Sequence, residues 1–181
     1  MIKATIMEPS RPLLKTICFT DSLGGCFRIA YFDKNGVPVL ERWDEVHLDK
    51  SRIQSTSILV GADYKLVAYR THLWNSQNKP LGSEDYKLVD DEFQLINRCV
   101  IEIYSPNDPI RRKDIWYDSN NNPRYMCIEE NDNFKIYTPD GQEIDVEGYG
   151  VFFYENLKDF ETIDEIVQQI LKAATEKLLA G

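Results

Sequence analysis

The chain has 181 residues, of which 43% are hydrophobic and 28% charged, and its formal net charge is −9. This length is typical of one domain, residues 1–181, and the composition excludes a disordered chain. No stretch reaches the roughly 18 consecutive apolar residues of a membrane-spanning helix, and the amino terminus lacks the apolar stretch of a signal peptide. We therefore expect a cytoplasmic protein that does not bind a membrane.

The acidic residues are unevenly distributed along the chain. Residues 1–80 contain eleven Lys and Arg against eight Asp and Glu, whereas residues 81–165 contain eight against twenty-one. An acidic segment of this kind repels phosphate backbones, so we expect no binding to nucleic acid. It attracts a basic protein partner, and the plain alternative is a solvated surface that serves only solubility.

The first eighty residues predict β-hairpins. Apolar and polar residues alternate along residues 27–31, the pattern of a half-buried strand, and Asn35-Gly36 favours a tight turn after them. The return strand at 37–43 contains Pro38, whose missing N–H indicates an edge strand or a β-bulge. Further strands are expected at residues 13–20, 53–60 and 64–72, the last two joined by a turn at Gly61.

The middle of the chain predicts a long loop, an ambiguous segment and a break. Residues 75–85 are polar without apolar periodicity, which is typical of an exposed loop. Residues 88–104 mix helical and strand spacing, and we expect a strand at 97–104 preceded by a helical turn. The proline-rich stretch near residues 105–109 is a candidate subdomain edge.

Beyond this break the hairpin pattern returns. Residues 110–117 are predicted to pair with 124–130 across a polar turn at 118–123. Asp118 and the residues after it partly match a calcium-binding loop, but Pro123 stands where that loop needs glycine. We therefore predict an ordinary hairpin turn. The remaining strands are expected at 133–138, 143–146 and 149–154, with the turn between the first two at Asp140-Gly141.

The chain closes with an amphipathic helix. Thr162 and Glu165 have the spacing of a capping box, in which each side chain bonds the backbone N–H of the other residue. The apolar residues that follow at helical spacing are Ile163, Ile166, Val167, Ile170, Leu171, Ala174 and Leu178. The predicted fold class is therefore α+β: an antiparallel sheet of hairpins in a meander, flat or strongly curved, packed against a C-terminal helix.

Few residues in the sequence are suited to catalysis or metal binding. The four cysteines have no Cys-x-x-Cys spacing, and only two histidines are present, so we expect no metal and no cofactor. Cys18, Cys99 and Cys127 lie in apolar strand-like runs and are predicted to be buried thiols. Cys26 near His47 or His72 is one arrangement that would suit a nucleophile. No catalytic residue is assigned, and an enzyme is less favoured than a non-enzymatic protein.

These observations favour a non-enzymatic protein-binding module, for example an immunity- or inhibitor-type protein whose acidic face binds a basic protein. The alternatives are a small-molecule carrier or sensor with an aromatic-lined β cup, and an enzyme that depends on Cys26. A homodimer is left open. Acidic and aromatic residues beside turns are the candidate binding residues: Trp74, Glu84, Asp85, Tyr86, Asp90, Asp91, Glu92 and Trp116.

Overall fold

The computed structural model describes residues 3–7, 14–22, 26–47, 52–75, 77, 79–105, 107–131, 133–144 and 161–180. In this part of the chain twelve strands form one antiparallel meander, ordered β1 to β12, and a single helix follows. The α+β prediction is confirmed. The elements are β1 (Lys3–Met7), β2 (Lys15–Thr20), β3 (Cys26–Phe32), β4 (Pro38–His47), β5 (Arg52–Val60), β6 (Lys65–Trp74), β7 (Pro80–Val89), β8 (Glu92–Ile103), β9 (Ile110–Asp118), β10 (Pro123–Glu130), β11 (Asn133–Tyr137), β12 (Glu143–Ile144) and α1 (Ile163–Ala180).

The chain divides into two compact units. The first unit comprises Met1–Thr71, Lys87–Phe93 and Ile163–Gly181, and the second comprises His72–Tyr86 and Gln94–Thr162. The candidate subdomain edge near residues 105–109 falls inside the range of the second unit. The single domain stays a prediction.

In the first unit the helix packs against one face of the sheet. Arg42, Ile58 and Ala68 form a cross-strand row on β4, β5 and β6, and the last two are fully buried. Arg42 is also 3.2 Å from Asp164 in the first turn of α1, so this row faces the helix. The helix buries the predicted apolar stripe most fully at Ile163, Ile166, Val167 and Leu171. No helix in the described residues is both long and apolar enough to cross a membrane.

Three hairpin turns share one hydrogen-bond pattern. The N–H of Asp33 donates to the carbonyl four residues later, and its own carbonyl accepts from the N–H three residues later. Asp118 and Thr138 make the same two backbone bonds. The residue at the third position after each has a positive φ: 80° at Gly36, 63° at Asn121 and 87° at Gly141. The turns predicted at these places are confirmed.

Several strand boundaries differ from the prediction. The loop predicted at 75–85 is wrong from residue 80 onward, because β7 occupies Pro80–Val89. The helical turn expected before residue 97 is also wrong, because β8 begins at Glu92. The loop was predicted wrongly because β7 buries two polar residues, Ser83 and Asp85, and so shows no apolar alternation.

Two other strand predictions were incomplete or are tested only in part. Strand β1 was not foreseen, and β12 confirms the first two residues of the segment predicted at 143–146, whose remaining residues lie outside the described part of the chain. Pro38 stands at a register shift between β3 and β4, which confirms the bulge alternative for this strand. The strand predicted at 149–154 lies outside the described residues.

Candidate functional site

The turn between β7 and β8 carries three consecutive carboxylates. Asp90 and Asp91 form the two-residue connection, with φ values of 49° and 65°. Two positive φ angles in a two-residue hairpin connection indicate a type I′ turn, which favours Asn-Gly. Both aspartates and Glu92 are exposed, and no ion pair among the described residues includes them. We call Asp90, Asp91 and Glu92 the acidic turn.

An exposed aromatic ring follows the acidic turn directly. The Phe93 side chain is 38% exposed, and its ring lies edge-on to Tyr69 with 5.0 Å between the ring centroids. Carboxylates form charge-assisted hydrogen bonds with Lys and Arg, and aromatic faces attract the same cations. The turn and the ring together suit a basic ligand.

Tyr69 belongs to a row of side chains that crosses five strands. The register pairs Phe19 with Arg28, Arg28 with Trp43, Trp43 with Ser57, and Ser57 with Tyr69. Directly paired residues of antiparallel strands project from the same face of the sheet, so these five side chains form one line. We call the line, extended by Phe93, the aromatic row: Phe19, Arg28, Trp43, Ser57, Tyr69 and Phe93.

Arg28 is held between two rings of the aromatic row. Its guanidinium carbon lies 4.5 Å from the ring centroid of Phe19 and 4.6 Å from that of Trp43. Both distances are within the range of a cation–π interaction. The guanidinium also donates two hydrogen bonds to Glu41, at 2.9 Å from Nε and 2.6 Å from Nη2.

Glu41 also orients Trp43. The indole Nε1 of Trp43 donates to the Glu41 carboxylate at 2.9 Å. The Glu41 side chain is only 2% exposed, whereas Trp43 remains 38% exposed. One buried carboxylate therefore neutralises Arg28 and fixes the orientation of an exposed indole.

The other predicted binding residues belong to the second unit. The hydroxyl of Tyr86 donates to Glu84 at 2.7 Å, and both side chains are half-buried. Trp74 and Trp116, at the end of β6 and within β9, are half-buried as well. Asp85 is fully buried and accepts a hydrogen bond from Asn97, so it is not available to a partner at the surface. The acidic turn thus contains three of the eight predicted residues.

The carboxylate of the former calcium-loop candidate stabilises its own turn. Asp118 Oδ1 accepts the backbone N–H groups of Asn120 and Asn122, each at 2.9 Å. Hydrogen bonds lower the pKa of Asp118. The bond from the Asn122 backbone has the largest effect, and those from the Asn122 side chain and the Asn120 backbone have smaller effects. Among the described residues no group of three or more His, Cys, Asp or Glu side chains is placed to hold a metal ion.

The cysteines differ from one another in environment. Cys99 and Cys127 are buried thiols, as predicted. Cys18 is half-buried and disulfide-bonded, so the prediction of a buried thiol is wrong there. Its strand, β2, is mostly half-exposed, and the apolar run around it did not reveal this. The side chains of Cys26 and His47 lie outside the described part of the chain, and the Cys26-dependent enzyme stays a prediction.

One groove in the first unit has the size of a small-molecule pocket. Its volume is about 410 Å³, and it lies between the β3–β4 turn and the C-terminal half of α1. It contains no aromatic side chain and so differs from the aromatic-lined cup expected of a carrier. The lining residues are Asp33, Lys34, Val39, Ala174, Lys177 and Leu178.

Sequence reasoning missed the aromatic row. The alternation at residues 27–31 placed Arg28 on one face of a strand, but the register that brings it beside Phe19 and Trp43 spans three strands. The signal that could have found it is the Asn35-Gly36 turn, because a tight turn fixes the register of its hairpin.

Compared with known proteins, the chain matches no protein-family model and no curated protein.

Proposed function

We propose that this protein is a non-enzymatic binding module whose acidic turn captures a basic protein partner, in the manner of an immunity- or inhibitor-type protein. Neither nucleic acid nor a membrane surface has a role in this function. The acidic turn supports the proposal because its three carboxylates are exposed, adjacent and not in ion pairs within the described residues. Such carboxylates are available to Lys and Arg side chains of another protein.

The observation that carries the proposal is the backbone conformation of Asp90 and Asp91. A positive φ is less favourable for aspartate than for glycine, and residues in unfavourable backbone conformations are concentrated at functional sites. Two aspartates followed by Glu92 add electrostatic repulsion to this unfavourable conformation. A turn that served only to connect two strands would be more stable with Asn-Gly. The charges therefore have a role that turn formation does not supply.

The charge of the rest of the chain also favours a basic partner. The second unit contains eight Lys and Arg against sixteen Asp and Glu, whereas the first unit is nearly balanced, with thirteen against fourteen. A field of one sign accelerates the encounter with a partner of opposite charge. The acidic turn then supplies the contact, and the charge of the second unit increases the rate of association.

A pull-down from the native host, followed by mass spectrometry, tests the proposal. The bait is the full chain, compared with the variant Asp90→Asn/Asp91→Asn/Glu92→Gln. A matched control, Asp63→Asn/Asp108→Asn/Glu176→Gln, removes three exposed carboxylates elsewhere that are in no ion pair among the described residues. We expect a basic protein that elutes as salt rises, is lost with the acidic-turn variant and is retained by the control. Equal recovery by all three baits would contradict the proposal.

The cytoplasmic location stays a prediction, and one observation weighs against it. Cys18 is disulfide-bonded, and structural disulfides persist mainly in oxidising compartments. The exposure of the acidic turn does not itself favour one compartment over the other. A basic partner could therefore be met in both.

A further inference from the structure

The acidic turn and the aromatic row meet at Phe93, which follows Glu92 in the chain and contacts Tyr69. We propose that the aromatic row is the second part of the partner-binding surface and that it binds arginine side chains of a short extended basic segment. This inference rests on the proposed function. It names the chemistry of the partner: a segment rich in arginine and not merely in positive charge.

The row already contains a bound guanidinium. Arg28 lies between the rings of Phe19 and Trp43 at cation–π distances on both sides. This internal contact shows that rings of the row accept a guanidinium group on their faces. Arginine from a partner would make the same kind of contact on the exposed rings, Trp43 and Phe93, each 38% exposed. Lysine lacks the planar group that stacks on a ring.

The aromatic row is also preorganised, because one of its exposed rings is held in place before a partner binds. The hydrogen bond from the indole of Trp43 to Glu41 fixes the ring, so little side-chain freedom is lost when a partner binds. The two bonds from Arg28 to Glu41 neutralise the charge of this arginine, which would otherwise repel a basic segment. Trp, Tyr and Arg are the side chains most enriched among the residues that dominate binding energy at protein interfaces.

The geometry sets the length of the segment. Neighbouring strands are about 4.8 Å apart, so the four steps from Phe19 to Tyr69 span about 19 Å. An extended chain rises about 3.3 Å per residue, so about six residues cover the distance from Phe19 to Tyr69. At the Phe93 end such a segment would reach the acidic turn, where its cations would pair with the carboxylates of Asp90, Asp91 and Glu92.

Two fluorescein-labelled peptides, hexa-arginine and hexalysine, test this inference by fluorescence anisotropy with the full chain. They carry equal charge, so a preference for hexa-arginine that is lost when a ring is removed reports the rings. We expect hexa-arginine to bind about tenfold more tightly than hexalysine, because a planar guanidinium stacks on each exposed ring and an ammonium group does not. Phe93→Ala and Trp43→Leu should each weaken hexa-arginine binding about fivefold and hexalysine binding less.

The controls separate the row from the rest of the chain. Phe134→Ala removes an exposed aromatic ring outside the row and should leave both affinities unchanged. Because Trp43 bonds to Glu41, thermal unfolding of each variant is measured first. Phe93 makes no hydrogen bond through its side chain, so the Phe93→Ala variant tests the inference even if Trp43→Leu is unstable.

Each outcome decides one of the two proposals. If the acidic-turn variant loses both peptides while Phe93→Ala and Trp43→Leu bind hexa-arginine like the wild type, the inference fails and the proposed function stands. If the acidic-turn variant binds both peptides like the wild type, the proposed function fails. If neither peptide binds the wild type, both fail. Self-association that Phe93→Ala abolishes would show that a second copy occupies the row and would also overturn the inference.

Discussion

The side-chain amide of Asn97 donates one hydrogen bond to the Asp85 carboxylate, at 2.9 Å, and another to the backbone carbonyl of Glu161, at 2.7 Å. Asn97 and Asp85 are both fully buried. One amide therefore joins β7, β8 and the residue two positions before α1. It also explains how a polar strand such as β7 is stable inside the fold, since a buried carboxylate needs donors.

Replacing Asn97 should destabilise the protein strongly. Asn97→Ala removes both bonds and leaves Asp85 without one of its donors, so we expect the free energy of unfolding to fall by about 2–4 kcal/mol. Urea denaturation followed by circular dichroism measures the change. The control Asn120→Ala alters an exposed turn residue and should change stability by less than about 0.5 kcal/mol. A loss below about 1 kcal/mol at Asn97 would show that these bonds do not stabilise the fold.

Gly82 should tolerate no side chain. A Cβ atom built on Gly82 would lie 1.9 Å from the carbonyl oxygen of Cys99, and its φ of +144° is unfavourable for other residues. We expect Gly82→Ala to reduce stability by about 3 kcal/mol or more, because strand backbones would have to separate. Gly36→Ala is the matched control, with a φ of +80° but nothing within 4 Å, and should lose about 1–2 kcal/mol. Equal losses at both positions would refute the steric explanation.

The comparison of sequence and structure shows which features are local. The turns at Asp33 and Asp118 were predictable because their side chains bond the backbone two and four residues later. The helix was predictable because its apolar stripe repeats within the helix itself. In contrast, residues 80–85 of β7 predict a loop because the buried side chains among them, Ser83 and Asp85, are polar.

The candidate site was predictable only in part. The acidic turn was found because three carboxylates adjoin in the sequence. The aromatic row depends on the pairing register of five strands, and no local pattern fixes all of those registers together. Asp85 was expected at the surface because it is charged, but its partner Asn97 lies on another strand.

The acidic turn should be less stable than the same turn with Asn-Gly in place of Asp90-Asp91. Asp90→Asn/Asp91→Gly installs the residue pair that a type I′ turn prefers, and we expect the free energy of unfolding to rise by about 1 kcal/mol. For a protein of this size that corresponds to an increase in melting temperature of about 2–4 °C. The same variant should bind hexalysine more weakly than the wild type. A variant that is less stable than the wild type would contradict the strain at these aspartates.

Acid should weaken the β9–β10 turn through Asp118. The hydrogen bonds from Asn122 and Asn120 lower the pKa of this carboxyl group in the folded protein. Its contribution to stability is therefore complete above the ordinary aspartate pKa, about 3.9, and is lost as the pH falls through the lower folded value. NMR titration of the carboxyl carbon measures the folded pKa directly.

Asp118→Asn provides the control for this pH dependence. The asparagine oxygen can accept the same backbone bonds but does not titrate, so the variant should lose stability less steeply than the wild type below pH 4. Acid denaturation of the two proteins makes the comparison. Identical profiles would mean that the Asp118 charge does not contribute to the stability of the turn.

The most direct test of partner capture by the acidic turn is an NMR titration of the amide groups with hexalysine. We expect the largest chemical-shift changes at Asp90, Asp91, Glu92 and Phe93, reversed by added salt because they arise from ion pairing. The Asp90→Asn/Asp91→Asn/Glu92→Gln variant should show no changes at these positions. Shifts confined to other acidic residues, or the same shifts in the variant, would contradict the assignment of partner binding to this turn.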